Sequence, residues 1–222
     1  MNTSAVPPMG RRIREERVRR GATVRGLAGE IGVSASLISQ IENDKSQPSV
    51  STLYAITTAL GISIEDLFAP GVSDEAAEPE PVAAPQATPT SGTDGQRHMS
   101  TRRAARPGHR RRVGPVVHPH GREALTLETG VVWELLGEVP DVHVDFLLVT
   151  YQPGGASSTM GTLMRHTGTE FGYLISGELV LTLGFNEHHL HPGDAISFDS
   201  STPHGYRNEG AEPAVGVWFV LE

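Results

Sequence analysis

The chain contains no cysteine. Disulfides and thiolate zinc sites are therefore excluded, and the reducing cytoplasm is the simplest expectation for its location. Long apolar runs are missing too. No stretch approaches the ~20 residues that a membrane helix needs, so no membrane partner is expected. The opening residues, MNTSAVPPMGRRIREER, have no apolar stretch after their charges, which argues against a secretory signal.

Charge of one sign is absent in whole segments. Residues 70–96 hold five acids and no base, whereas residues 97–112 hold seven arginines and no acid. Residues 1–69 are nearly balanced, with eight bases against seven acids, and residues 113–222 set three bases against fourteen acids. The net charge of −8 conceals this division. An acidic C-terminal half repels nucleic acid, so any DNA contact belongs to the first half or to the arginine run. The run has three readings: it lies on DNA phosphates, it docks on the acidic half, or it is a solvated tether.

Large apolar residues are scarce in 70–96, where only Val72 and Val82 interrupt Pro, Ala, Glu and Thr. Such a segment cannot bury enough surface to offset its ordering entropy. The expected organisation is a helical domain over 1–69, a disordered linker over 70–112 (acidic and Pro/Ala-rich, then Arg-rich) and a β domain over 113–222. Before the linker, apolar residues recur at three- and four-residue steps: Leu27, Ala28 and Ile31, then Leu37, Ile38 and Ile41, then Leu53, Ile56 and Leu60. After residue 113 the runs are short and β-branched or aromatic, as in VHVDFLLVTY, FGYLIS and ELVLTLG, with turns such as PGG and HPGD between them. That pattern predicts a β-sandwich or barrel. Phe146, Tyr151, Phe171, Tyr173, Phe198, Tyr206, Trp218 and Phe219 are expected mostly in its core.

Thr23 is placed to cap a helix running VRGLAGEIG, Gly32 to end it in the left-handed conformation, and Ser34 to cap a second helix over 34–43. Helix, Gly-containing turn, helix is the helix-turn-helix arrangement. On the second helix Leu37, Ile38 and Ile41 are assigned to the core, which leaves Ala35, Ser36, Ser39, Gln40 and Asn43 outside. Gln pairs with adenine edges, Ser with several base edges, and Ala touches a thymine methyl. The N-terminus of the first helix, with Thr23 and Arg25, suits a phosphate. Arg11, Arg12, Arg14, Arg19 and Arg20 read as a solvated helix face.

Residues 9–68, from MGRRIREER through LAGEIGVSASLISQIE to ALGISIEDLF, resemble the XRE-type helix-turn-helix domain. The resemblance implies five helices and binding, as a homodimer, to a near-palindromic operator in double-stranded DNA. It implies Ala35, Ser36, Ser39 and Gln40 as base readers, Asn43 and Lys45 as backbone contacts, and Arg17 with Glu42 as an internal ion pair.

Residues 166–210, HTGTEFGYLISGEL onward, resemble a cupin barrel, a small β-barrel or jelly roll. His166, Glu170 and Gly177 match the first cupin motif. Pro192, Gly193, Asp194, His204 and Asn208 match the second. Two positions depart: Met164 stands where the family has a histidine, and Asp199-Ser200-Ser201 replaces Pro-x-Gly. The remaining His166, Glu170 and His204 have the composition of a two-His-one-carboxylate iron(II) site. Strand alternation points His166 and Glu170 to one face. The resemblance therefore implies either a divalent metal (Fe, Zn, Ni or Mn) or no cofactor, with His166, Glu170, His204, Tyr173 and Tyr206 holding a small polar ligand. His188, His189 and His191 read as a surface hairpin.

The fold class is thus multi-domain, an all-α helix-turn-helix domain plus an all-β cupin domain. The leading expectation is a DNA-binding regulator whose barrel senses the ligand, and not an enzyme. The runner-up is an iron oxygenase similar to hydroxypropylphosphonate epoxidases, and a third reading is a non-switching DNA binder with a structural barrel. The intact SxSxISQIE pattern favours the regulator over an enzyme.

Overall fold

The computed structural model describes residues 8–68, 116–138, 144–159 and 161–221. The predicted linker over 70–112, including the arginine run, lies outside the described residues. No helix among them is long and apolar enough to cross a membrane.

The first domain contains α1 (Met9–Arg19), α2 (Val24–Ile31), α3 (Ala35–Glu42) and α4 (Val50–Leu60). Local chemistry sets their ends. The hydroxyls of Thr23, Ser34 and Ser49 accept from Gly26 N, Leu37 N and Thr52 N, capping α2, α3 and α4. Gly32 takes φ 72°, the left-handed turn that separates α2 from α3. Ile13, Leu27, Ile38, Ile41, Leu53, Ile56 and Leu60 are buried between the helices, as the periodicity required.

Two expectations need correction here. Among the described residues there are four α-helices, and the predicted fifth is a single 3-10 turn, Glu65–Leu67. Ser63 and Asp66 cap that turn reciprocally: Ser63 N donates to Asp66 Oδ2 and Asp66 N to Ser63 Oγ. The Arg12 guanidinium then donates to the Leu67 carbonyl, taking the acceptor that a longer helix would use. The second correction is Arg12 itself, which is not on a solvated face but buried.

The second domain contains nine strands among the described residues: β1 (Ala124–Leu127), β2 (Val131–Gly137), β3 (Val144–Tyr151), β4 (Thr169–Ser176), β5 (Leu179–Leu183), β6 (Asn186–Leu190), β7 (Ala195–Asp199), β8 (His204–Arg207) and β9 (Ala214–Leu221). They form a six-stranded sheet, β1-β2-β3-β9-β4-β7, and a three-stranded sheet, β6-β5-β8. Gly177 turns β4 into β5 at φ 74°, where a Cβ would sit 2.4 Å from the Pro213 carbonyl oxygen.

Alternation along β4 sends Glu170, Gly172 and Leu174 inward, and Phe171, Tyr173 and Ile175 outward. On β9, Trp218 and Val220 point in while Phe219 and Leu221 point out. The expectation that the strand aromatics are mostly core therefore fails for Phe171, Tyr173 and Phe219, which are exposed. Residue type marks a strand, but a one-residue step decides its face. The helical domain and the barrel belong to one compact unit.

Inside the helical domain the Arg17 fork grips Glu42, Nε to Oε1 at 2.5 Å and Nη2 to Oε2 at 2.7 Å, with Nη1 donating to the Ala22 carbonyl. Both side chains are buried, so removing one partner strands the other charge. Glu42→Ala is expected to destabilise this domain by about 3–5 kcal/mol. The check is urea unfolding, read as a lower midpoint at unchanged slope.

Candidate functional site

The site in the barrel interior is built around the buried Glu170 carboxylate. Glu170 lies on β4, opposite Val220 of β9 and Phe198 of β7. Tyr206, on β8 of the smaller sheet, donates its hydroxyl to Glu170 Oε1 at 2.5 Å. Trp218 Nε1 donates to that hydroxyl oxygen at 3.3 Å. Burial and the nearby Glu170 charge push the Tyr206 phenol well above its ordinary pKa, so it stays a proton donor.

The other oxygen, Glu170 Oε2, faces two imidazoles. His166 Nε2 is 3.5 Å from it and His204 Nε2 is 3.4 Å. Each ring is oriented by a backbone carbonyl at its far nitrogen: Nδ1 of His166 meets the Thr167 oxygen at 3.1 Å, and Nδ1 of His204 the Thr202 oxygen at 2.8 Å. That pairing fixes the proton on Nδ1 and leaves Nε2 as a lone-pair donor. Both Nε2 atoms are buried without a hydrogen-bond partner. Desolvation lowers the His204 pKa, outweighing the pull of Glu170, and so favours the neutral ring.

Two lone-pair nitrogens and a carboxylate oxygen within 4.8 Å of one another fit a divalent metal. His166, Glu170 and His204 would hold it, leaving coordination positions for water or ligand. Bound there, the ion would act as a Lewis acid. Met164, at the family's missing histidine position, is paired with His204 through backbone hydrogen bonds of 2.8 and 3.0 Å. Its side chain lines the cavity beside Glu170.

That cavity has about 20 Å³ of free space, room for one water. Trp133, Tyr151, Met164, Tyr206 and Trp218 line it from the barrel, and Val50 and Tyr54 from α4. The Tyr54 ring stacks on His166, centroids 4.1 Å apart and planes 2° apart, and meets Trp133 edge-on at 5.7 Å.

Of the ligand residues expected from sequence, His166, Glu170, His204 and Tyr206 come together. Tyr173 does not; it sits outward on β4 and is half exposed. Asn208 holds the end of the sheet, donating to the Tyr151 and Glu212 carbonyls. His188, His189 and His191 are exposed on and just after β6. Sequence reading missed Trp133 and Tyr54. Trp133 had a signal, its inward parity on β2 with Val131 and Leu135. Tyr54 had none, because its helix belongs to the other domain.

In the helical domain, Ser36, Ser39, Gln40 and Asn43 form one exposed stripe along α3, opposite the buried Ile38 and Ile41. Thr23, Arg25, Ser34 and Lys45 are exposed as well. Ala35 is half-buried and packs on the core. The Asn43 amide donates to the Ser39 carbonyl at 2.6 Å.

Comparison with known proteins matches both halves. Residues 13–67 match the helix-turn-helix family model and residues 147–220 the cupin domain model. The chain is 29% identical over 203 residues to the HTH-type transcriptional regulator PuuR of Escherichia coli, covering 91% of this chain and 88% of that one. It is similar in fold to an HTH_3 family transcriptional regulator from Vibrio cholerae, with TM-score 0.60, 19% identity, and coverage of 97% and 95%. Hydroxypropylphosphonic acid epoxidase from S. wedmorenis aligns over 99% of this chain and all of its own, at 16% identity and TM-score 0.42, a likeness that carries no argument.

The donor geometry generates a binding prediction. Zn²⁺ titrated into the protein is expected to bind one ion per chain. His166→Ala and His204→Ala are each expected to weaken it by more than the roughly 10- to 100-fold that loss of an outer-shell partner costs. Isothermal titration calorimetry reads both.

Proposed function

The chain is an XRE-family helix-turn-helix protein with a C-terminal cupin domain, and on that premise we propose that it is a transcriptional regulator that reads operator DNA through α3 and is controlled by what its barrel binds. The observation that carries the reading is the division of α3. Ile38 and Ile41 are buried, while the stripe Ser36, Ser39, Gln40 and Asn43 is left to solvent with no apolar side chain in it. Small polar side chains at i, i+3, i+4 and i+7 are what a major-groove helix presents to base edges.

In this reading Ser36, Ser39 and Gln40 contact bases, with Ser34 and Ala35 at the helix entry. Thr23, Arg25, Asn43 and Lys45 contact phosphates, which position the domain without carrying sequence information. The barrel takes a small polar ligand or a divalent metal at His166, Glu170 and His204, with Tyr206 holding the carboxylate. Relatives that are named transcriptional regulators, and an exposed polar stripe on α3, support this over the oxygenase; the donor set suits either reading, and the likeness to the epoxidase is too remote to use.

A palindromic operator calls for two copies of α3. The outward sheet face supports a homodimer: Phe171, Tyr173, Ile175, Phe219 and Leu221 are exposed on two neighbouring strands, and Phe146 stacks on Phe219 at 4.4 Å. A contiguous exposed apolar patch of this kind is rare on a monomer. A second copy of the same face is the occupant that two-fold symmetry requires.

Two measurements test this function. With an operator selected from random duplexes, Gln40→Ala is expected to cost about 1–3 kcal/mol and to relax sequence preference. Arg25→Ala is expected to weaken all sequences alike and to reduce the salt slope by about one. Equal binding of operator and unrelated DNA by the wild-type protein would remove the reading. Separately, Phe219→Lys is expected to convert a dimer to a monomer in light scattering, with the circular dichroism of a folded chain retained.

A further inference from the structure

The cavity in the barrel is lined on one side by residues of the helical domain. α4 is buried on two sides. Leu53, Ile56 and Leu60 face the helical core, whereas Val50 and Tyr54, one turn apart, line the barrel cavity. Two backbone hydrogen bonds hold the start of this helix to the barrel: Ser51 N donates to the Ser157 carbonyl at 2.9 Å, and Glu128 N donates to the Pro48 carbonyl at 3.0 Å. The Tyr54 ring then lies flat on His166.

Free space of about 20 Å³ admits a water, not an organic molecule. One wall has to retreat before any such ligand enters. The barrel walls are strands tied into ladders; β3, for example, is registered with β9 from Val144 to Tyr151 and with β2 from Phe146 to Tyr151. The α4 wall belongs to no such ladder; it meets the barrel through the Tyr54 ring and through backbone bonds near the start of the helix. We propose that Tyr54 is the plug of an effector slot: a ligand with a flat, ring-sized group takes Tyr54's place on His166, and in doing so undocks α4 from the barrel. The vacated surface is the face of an imidazole beside the edge of an indole, with the Glu170 carboxylate below it. It selects a planar group carrying a hydrogen-bond donor.

The inference rests on the barrel's being the effector domain, and it supplies the coupling which that reading needs. A ligand shifts an equilibrium only by binding two states differently. Here the docked state has no room for the ligand and the undocked state has, so occupancy and head position are linked with no signal passing through residues 69–115.

The experiment is hydrogen exchange on the full chain, with p-cresol, the tyrosine side chain itself, as the probe. Tyr54→Ala, and Tyr54→Leu in case the smaller side chain unfolds the domain, are expected to speed exchange at the Ser51 and Glu128 amides by about tenfold or more. The buried α3 amides of Ile38 and Ile41 stay protected. p-Cresol is expected to speed the same two amides in the wild-type protein, and to bind Tyr54→Ala at least about tenfold more tightly because the plug is gone. Unchanged Ser51 and Glu128 amides in both the Ala and Leu variants, or p-cresol binding no tighter to Tyr54→Ala than to wild type, overturns the proposal. Amides that respond while operator affinity stays constant would uphold the plug and remove the regulatory reading instead.

Discussion

The Glu170 carboxylate, buried inside an apolar barrel, organises the site in the second half of this protein. Glu170 is buried among Trp133, Tyr151, Met164 and Trp218, where an isolated charge would be prohibitively costly. Every polar group nearby is arranged around it. Tyr206 donates to one oxygen, Trp218 supports Tyr206, and the two imidazoles offer Nε2 toward the other oxygen. The histidines are in turn aimed by the carbonyls of Thr167 and Thr202. A set oriented this strictly, with two nitrogens left without partners, is prepared for something to bind.

The helical domain follows a different logic. A buried ion pair, Arg17 with Glu42, joins α1 to the end of α3 and so fixes where α3 sits. Arg12 is spent internally on the Leu67 carbonyl, which closes the domain. Arg11, Arg14, Arg19, Arg20, Arg25 and Lys45 remain exposed. The two domains meet at α4, where Tyr54 of the helical domain stacks on His166 of the barrel. In the proposed function, such a contact links pocket occupancy to the position of the helical domain without a relay.

Much of the site was legible in sequence because most of its residues lie on an inward register. His204 and Tyr206 share the inward face of β8 and Glu170 faces inward on β4, whereas His166 lies in the segment just before β4, so strand alternation found its partner but not its setting. Tyr173 shows where that legibility ends. It has the composition of a pocket residue, but it stands an odd number of residues from Glu170, so the pleat turns it to the outside with Phe171 and Ile175. The predicted fifth helix is a single 3-10 turn, and its Leu67 carbonyl accepts from Arg12, far away in the chain, a contact that no local pattern encodes.

The sequence by itself determined the helix ends, the turn between α2 and α3, the strand-rich second half and the donor set, because caps, left-handed glycines and residue alternation act over a few neighbouring residues. Tertiary structure alone decided which aromatic residues are core and which are surface. It decided that Met164 lines the cavity, and that Tyr54 covers His166. Those facts depend on sheet order, and on the packing of one domain against another across chain separations that no local period encodes.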